Sequence, residues 1–357
     1  EGLTQRQLMG PRLPIVNPLL WEIGHVAWFS EQFVLRKLHK YQPVKPELDA
    51  IYDSIAIEHA LRWDLPLLQL NECLSYINEI KNTLCERLVN KDATPEDSFI
   101  YQFATFHQDM HNEAYTYSRQ TLGYPAPSFA TANDIKLTTE DYGPYPGDVK
   151  IPGGEFTLGA DLDADFLFDN EKWGHTLNVY PFQISKSPVT NEEFSKFVED
   201  DGYKRRELWP DIGWTWLQTE DSNHPVYWVP DEGRNWLIKH FDTLIDLPPH
   251  QPVSHINWYE ASAYCAWAKR RLPTEVEWEV AASAEPDASG TQLAKSKHIY
   301  PWGSEKNTLR RANLDGRGLG CVDVSAFREG DSAFGCRQML GNIWEWTNST
   351  FEPYPGF

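Results

Sequence analysis

The chain is poor in cysteine, in basic charge and in long apolar runs, and each shortage excludes something. Only 5 cysteines occur in 357 residues, at Cys73, Cys85, Cys265, Cys321 and Cys336. They are odd in number and scattered, and no Cys-x-x-Cys pair is present. That pattern argues against a disulfide framework and for reduced thiols in a cytoplasmic compartment. Cys73, Cys85 and Cys265 fall in helical patterns and are expected to be buried and inert. Lysine and arginine total 32 against 52 aspartate and glutamate, a net charge of −20. Such a polyanion is a poor partner for nucleic acid or an anionic membrane. No apolar run approaches the roughly 20 residues that cross a bilayer. No signal-peptide pattern opens the chain, which begins at Glu1 and not at Met. Aromatic residues, by contrast, are plentiful: 15 Trp, 16 Tyr and 17 Phe. The cluster from Trp209 to Trp278 implies a compact aromatic domain.

The first part of the chain reads as helical. Asn17-Pro18 has the form of a helix start, with Asn as cap and Pro in the first turn, and the helix is expected to run to about Lys37. A second helix is predicted over about Glu72 to Val89, with Leu74, Ile77, Lys81, Leu84 and Leu88 on one stripe. A third is predicted over about Ser98 to Leu122, ending at Gly123. Three such helices suggest an up-and-down bundle over residues 1–127. Residues 128–148 are polar and aperiodic and read as a linker. From residue 149 to 357, short strand-like pieces alternate with Gly and Pro turns. Capping boxes at Thr190-Asn191-Glu192-Glu193, Asn257-Trp258-Tyr259-Glu260 and Thr274-Glu275-Val276-Glu277 start embedded helices. Val189 and Phe194 are placed as a hydrophobic staple. This second part reads as an irregular α+β domain.

Three histidines carry the chemistry. His107 and His111, at i and i+4, share one helical face. His25 shares a stripe with Trp21 and Phe29 on the first helix. Imidazoles on apolar faces are costly without partners. Three that converge make a facial nitrogen site with positions open for substrate, which suits catalysis better than structure. Alone, an i, i+4 pair is more often an ordinary surface or core pair; the third histidine, in an apolar helical context, moves the balance toward metal. His175, His224, His240, His250 and His255 show no mutual spacing and read as structural.

The second domain resembles the formylglycine-generating-enzyme (sulfatase-modifying factor) family. The matching segments are Ile151-Pro152-Gly153-Gly154-Glu155-Phe156, Pro188-Val189-Thr190-Asn191-Glu192-Glu193-Phe194, Pro252-Val253-Ser254, Arg271-Leu272-Pro273-Thr274-Glu275-Val276-Glu277-Trp278-Glu279, Tyr300-Pro301-Trp302-Gly303 and Gly341-Asn342-Ile343-Trp344-Glu345-Trp346-Thr347. That domain has a C-type-lectin-like α+β fold. The first domain resembles a DinB-like helical bundle, whose metal site is three histidines. Both together, in this order, resemble the non-heme iron sulfoxide synthases of ergothioneine, ovothiol and selenoneine biosynthesis.

The resemblance implies Fe(2+) held by His25, His107 and His111. It places Arg62 at one of two arginines that hold the carboxylate of the thiol donor; His59 stands at the other position. Met110 stands where mycobacterial members have a substrate-side glutamine. Tyr354, in Tyr354-Pro355-Gly356-Phe357, matches a tyrosine that supplies a proton and an electron. Gln338, Gly341, Ile343 and Glu345 resemble a calcium-binding turn, since carbonyls and a carboxylate suit a hard cation; Asn313 and Asp315 are weaker candidates. The family chain continues past Phe357 into an Arg-Gly-Gly-Ser-Trp segment and an arginine-rich end, so the second domain is expected to be C-terminally incomplete. The iron is expected at the base of a cleft between the two domains.

The function expected from this resemblance is C–S bond formation between a thiol, cysteine or gamma-glutamylcysteine, and trimethylhistidine (hercynine), with O2. Close alternatives are a selenoneine synthase with a selenosugar donor and an ovothiol-type enzyme acting on histidine itself. Two other classes stay open: a metal-dependent thiol S-transferase that needs no O2, and a non-catalytic binding module. Partners are expected to be small molecules, with neither nucleic acid nor membrane; the oligomeric state stays open.

Overall fold

The computed structural model describes residues 2–90, 93–128, 137–160, 164, 166–231, 233 and 236–357. The chain divides into two compact units: residues 1–128 with 239–244, and residues 129–238 with 245–357.

The first unit is helical. A capping box between Thr4 and Gln7 starts the short α1 (Gln5–Met9). Helix α2 (Leu19–Ser30) runs on into π-helical turns at Glu31–Leu38, so one helical segment covers the expected stretch. Asn17 does not cap it. Its amide donates instead to the buried Glu22, 2.9 Å from Nδ2 to Oε1. A buried carboxylate needs that donor more than a solvated helix end does. After the single turn of α3 (Asp49–Tyr52) come the two long helices α4 (Leu70–Asn90) and α5 (Pro95–Leu122). Helix α5 starts earlier than Ser98, because Thr94 and Asp97 form a capping box just ahead of Pro95. It ends at Gly123 in the left-handed conformation, at φ 61°, as the Gly-stop pattern requires.

Helix α2 packs against both α4 and α5. Trp21, Trp28, Val34, Tyr52, Tyr76 and Ile80 form the main core there. The buried line of α4 is Cys73, Tyr76 and Ile80, while Leu74 and Leu88 are exposed, so the face is rotated from the predicted stripe. Cys73 is small enough to admit the Tyr52 ring, whose hydroxyl lies 3.8 Å from its sulfur. Cys85 is exposed, against expectation, since it lies about 100° around the helix from Leu84. Gln120 of α5 is bonded at both ends of its amide to the 239–244 segment. Its Oε1 accepts from the Phe241 N–H at 2.7 Å and its Nε2 donates to the Lys239 carbonyl at 2.9 Å.

The second unit is α+β. Strands β1 (Asp148–Ile151), β2 (Gly154–Leu158), β3 (His175–Val179) and β4 (Phe182–Ser185) form two antiparallel pairs, β1 with β4 and β2 with β3. Then come α6 (Asn191–Glu199), α7 (Asp211–Glu220) and the strands β5 (Trp228–Pro230), β6 (Trp236–His240) and β7 (Thr243–Asp246), of which residues 239–244 are grouped with the first unit. Helices α8 (Trp258–Trp267) and α9 (Glu275–Ser283) precede the pair β8 (Ala284–Pro286) and β9 (Leu293–Lys297). All three expected capping boxes are formed, by Thr190 with Glu193, Asn257 with Glu260 and Thr274 with Glu277. Phe194 is fully buried in an aromatic core with Phe197, Tyr203, Trp209 and Trp228, and Val189 packs against it. A second core joins Ile151 and Phe156 of the strands to Val280 and Ala281 of α9. Of the expected linker, residues 129–136 lie outside the described residues; Thr138 caps a 3-10 turn at Thr139–Asp141. Among the described residues no helix is long and apolar enough to cross a membrane.

Candidate metal centre

Gly24 prepares the position of His25. A Cβ there would lie 2.1 Å from Cζ of Tyr52, so the Tyr52 ring rests directly on bare helix backbone. That close approach brings the Tyr52 carbonyl to 2.8 Å from Nδ1 of His25. A carbonyl can only accept, so Nδ1 carries the proton and Nε2 keeps its lone pair. The imidazole is 2 % exposed and stacks on Trp21 at 4.7 Å between centroids.

His107 and His111 approach from α5. His107 lies flat against Phe29, with centroids 3.5 Å apart and planes 8° from parallel. His111 has Nδ1 3.6 Å from Oε2 of the buried Glu22. One ring nitrogen from each of His25, His107 and His111 lies within 4.8 Å of the others. Three nitrogens sharing one ion, with bonds of about 2.1 Å, lie roughly 3.0–3.4 Å apart in facial or tetrahedral geometry, so each ring needs to move by about an ångström to close the set.

The electrostatics favour the ligand form. Burial lowers the His25 pKa to about 4 and that of His107 to about 3, and the neighbouring imidazoles add to both effects. Both rings are therefore neutral near pH 7, the form that binds a metal. Glu22 Oε2 and His111 Nδ1 are buried with no hydrogen-bond partner. Native structures seldom leave such atoms unmatched. A cation drawing on the three imidazoles beside a buried carboxylate would complete the set, so the residues present fit a divalent transition metal.

The other expected site residues of the first unit have these surroundings. Arg62 is buried, with its guanidinium 4.0 Å over the Trp21 ring. It donates to Asn17 Oδ1 at 2.7 Å and to the Ser54 carbonyl at 3.2 Å, and its Nε has no partner. Its neighbours in these bonds are neutral oxygens, and burial lowers its pKa. His59 is bonded through Nε2 to the Val16 carbonyl at 2.8 Å. Met110 is exposed on α5 beside His111.

In the second unit, Tyr354 donates to Glu275 Oε1 at 2.5 Å, and its ring meets His175 edge-on at 4.9 Å. Burial and Glu275 together raise its hydroxyl pKa. The turn around Gly341 is built on left-handed backbone at Gln338, Gly341 and Asn342. Gln338 is buried, gives its amide N–H to the Asp323 and Ala326 carbonyls and accepts from Asn342. The Gly341 carbonyl accepts from the Ile343 N–H. Burial pushes the Glu345 carboxyl up to about 8. Asn313 gives its amide N–H to Gly320 and Asn342, and Asp315 pairs with Arg317.

Sequence reasoning missed Glu22, Asn17 and the Tyr52 carbonyl. Glu22 had a signal, since it stands at i−3 from His25 on the same helical face.

A family model described as the sulfatase-modifying factor enzyme 1-like domain matches residues 134–356. The chain is 30% identical to the formylglycine-generating enzyme of Streptomyces coelicolor, covering 58% of this chain and 70% of that one. The second unit is thus an α+β domain of the formylglycine-generating type. Over 349 residues, the chain is 34% identical to the hercynine oxygenase of Mycolicibacterium smegmatis, covering 96% of this chain and 78% of that one. With the hercynine oxygenase of Mycobacterium tuberculosis it shares 35% identity, covering 96% and 79%. The chain belongs to the hercynine oxygenase family, and it is an enzyme of the oxygenase class.

Proposed function

We propose that this chain is an iron(II)- and O2-dependent sulfoxide synthase acting on hercynine in ergothioneine biosynthesis. It joins the sulfur of cysteine or γ-glutamylcysteine to the imidazole carbon of trimethylhistidine. The thiol and ring C–H each give up a hydrogen, and O2 delivers one oxygen to sulfur and one to water, so atoms and electrons balance. The observation that carries this reading is the convergence of three imidazoles from α2 and α5, two of them held neutral by burial. A ferrous ion bound there would supply the redox capacity for O2 and open positions for substrate.

The chain's own residues have distinct parts. The Tyr52 carbonyl fixes the His25 tautomer, and Phe29 fixes the plane of His107. Arg62, a buried cation with an unpartnered Nε, fits the carboxylate of the thiol donor. Tyr354 holds a proton in its bond to Glu275 and is the candidate donor of a proton and an electron. The helical first unit, with its three histidines, fits a DinB-like bundle. The Gly341 turn, with Glu345, fits a calcium ion.

The test is metal analysis together with oxygen uptake. Iron-loaded protein should consume O2 with hercynine and one of the two thiols, yielding a sulfoxide adduct. Histidine and a selenosugar, run in the same panel, separate the ovothiol and selenoneine variants. Turnover without O2, or no bound metal, would overturn the reading.

A further inference from the structure

The carboxylate of Glu22 has no part in the reading above, yet it is buried beside one of the three histidines. It lies on α2 one turn before His25, and its side chain is 3 % exposed. Oε1 accepts from Asn17 Nδ2 at 2.9 Å, and Asn17 Oδ1 accepts from Arg62 at 2.7 Å. Oε2 has no hydrogen-bond partner and lies 3.6 Å from His111 Nδ1, which has none either. The geometry points to Glu22 as the positioning residue of His111, in a chain Arg62–Asn17–Glu22–His111 that ties the metal centre to a buried guanidinium.

The reasoning is chemical. A carboxylate only accepts, so opposite Glu22 the Nδ1 of His111 must carry the proton, leaving Nε2 for a metal. Closing 3.6 Å to an N–H···O bond of about 2.8 Å needs a shift of less than an ångström. A metal on Nε2 makes the Nδ1 proton more acidic and strengthens that bond, while the carboxylate makes the ligand more basic. Asn17 holds Glu22 in place, and Arg62 at the far end offsets its charge, which an isolated buried carboxylate could not tolerate. His25 has a neutral carbonyl in the equivalent role, so the two ligands are tuned differently.

This inference rests on the three-histidine reading, and the experiment separates the two. Metal-free protein is titrated with Co(II), followed by its visible spectrum, for wild type, Glu22→Gln, His111→Ala and the double variant. Glu22→Gln keeps the shape and removes the charge. Wild type should bind one equivalent, and Glu22→Gln should bind ten- to a hundredfold more weakly with an altered spectrum. Its metal-free Tm should stay at or above that of wild type. In the His111→Ala background the Glu22→Gln change should leave the residual affinity unmoved. Wild-type affinity and spectrum in Glu22→Gln, or an equal loss in both backgrounds, would overturn the role of Glu22 alone. A wild type that takes up no Co(II) would overturn the three-histidine site and this inference with it.

Discussion

Gly24→Ala sets two effects of opposite sign against each other beside the metal centre. Helix propensity alone favours alanine by about 1 kcal/mol. Sterics oppose it: the new Cβ would stand 2.1 Å from Cζ, 2.3 Å from Cε1 and 2.4 Å from the hydroxyl of Tyr52. Ordinary carbon contacts are about 3.5–4.0 Å, so the ring must move by roughly 1.5 Å. It has no free space, being fully buried with its hydroxyl accepting from the Leu68 N–H at 3.3 Å. Overpacking costs about 1–3 kcal/mol and the lost hydrogen bond about 1 kcal/mol. The balance is a destabilisation of about 2 kcal/mol, or a fall in Tm of roughly 4–8 °C. The Tyr52 carbonyl moves with its ring, so His25 loses its orientation and metal affinity should drop about ten- to a hundredfold. Thermal unfolding with and without metal measures both. A variant more stable than wild type, with unchanged metal affinity, would show that the Tyr52 contact does not organise His25.

Three further outcomes are expected. The metal-free protein should lose stability as pH falls from 6.5 toward about 4, because His25 and His107 are held below their unfolded value and the unfolded chain binds more protons in that window. Each contributes up to about 1.4 kcal/mol per pH unit, and His25→Phe should flatten the slope; an unchanged slope would refute the assignment. An alkylating reagent at pH 8 should label Cys85 in the native protein, since burial raises Cys73 and pushes Cys265, Cys321 and Cys336 up, the last three to about 11; rapid labelling of Cys336, seen by peptide mass spectrometry, would contradict this. Tyr354→Phe should keep metal and shift product from sulfoxide adduct toward the sulfinic acid of the thiol, because the hydroxyl proton is gone; an unchanged product ratio would leave Tyr354 as a partner of Glu275 only.

Much of the local structure was legible in advance because its causes are local. The boxes at Thr190, Asn257 and Thr274 each close over three residues, and the Gly123 stop is one residue's backbone preference. The predicted stripe on α4 holds only in part: Ile77 and Leu84 pack against the core, while Leu74 and Leu88 are exposed and Cys73, Tyr76 and Ile80 are buried. On that face Cys73 meets the hydroxyl of Tyr52, a partner 21 residues away that no local pattern shows.

The sequence by itself determined that His107 and His111 share a face, since a helix of 3.6 residues per turn brings i and i+4 together wherever it forms. It also determined that His25 sits among aromatics on another helix. Only the tertiary structure decided that the three meet, which ring nitrogen of His25 carries its proton and which carboxylate stands beside His111. Those outcomes depend on groups far apart in the chain: a carbonyl 27 residues from His25, and a glutamate on α2 facing a histidine on α5. Burial is a property of the packed unit and not of any segment. The same burial that lowers the pKa of His25 and His107 leaves Glu22 Oε2 and His111 Nδ1 shielded from solvent, 3.6 Å apart.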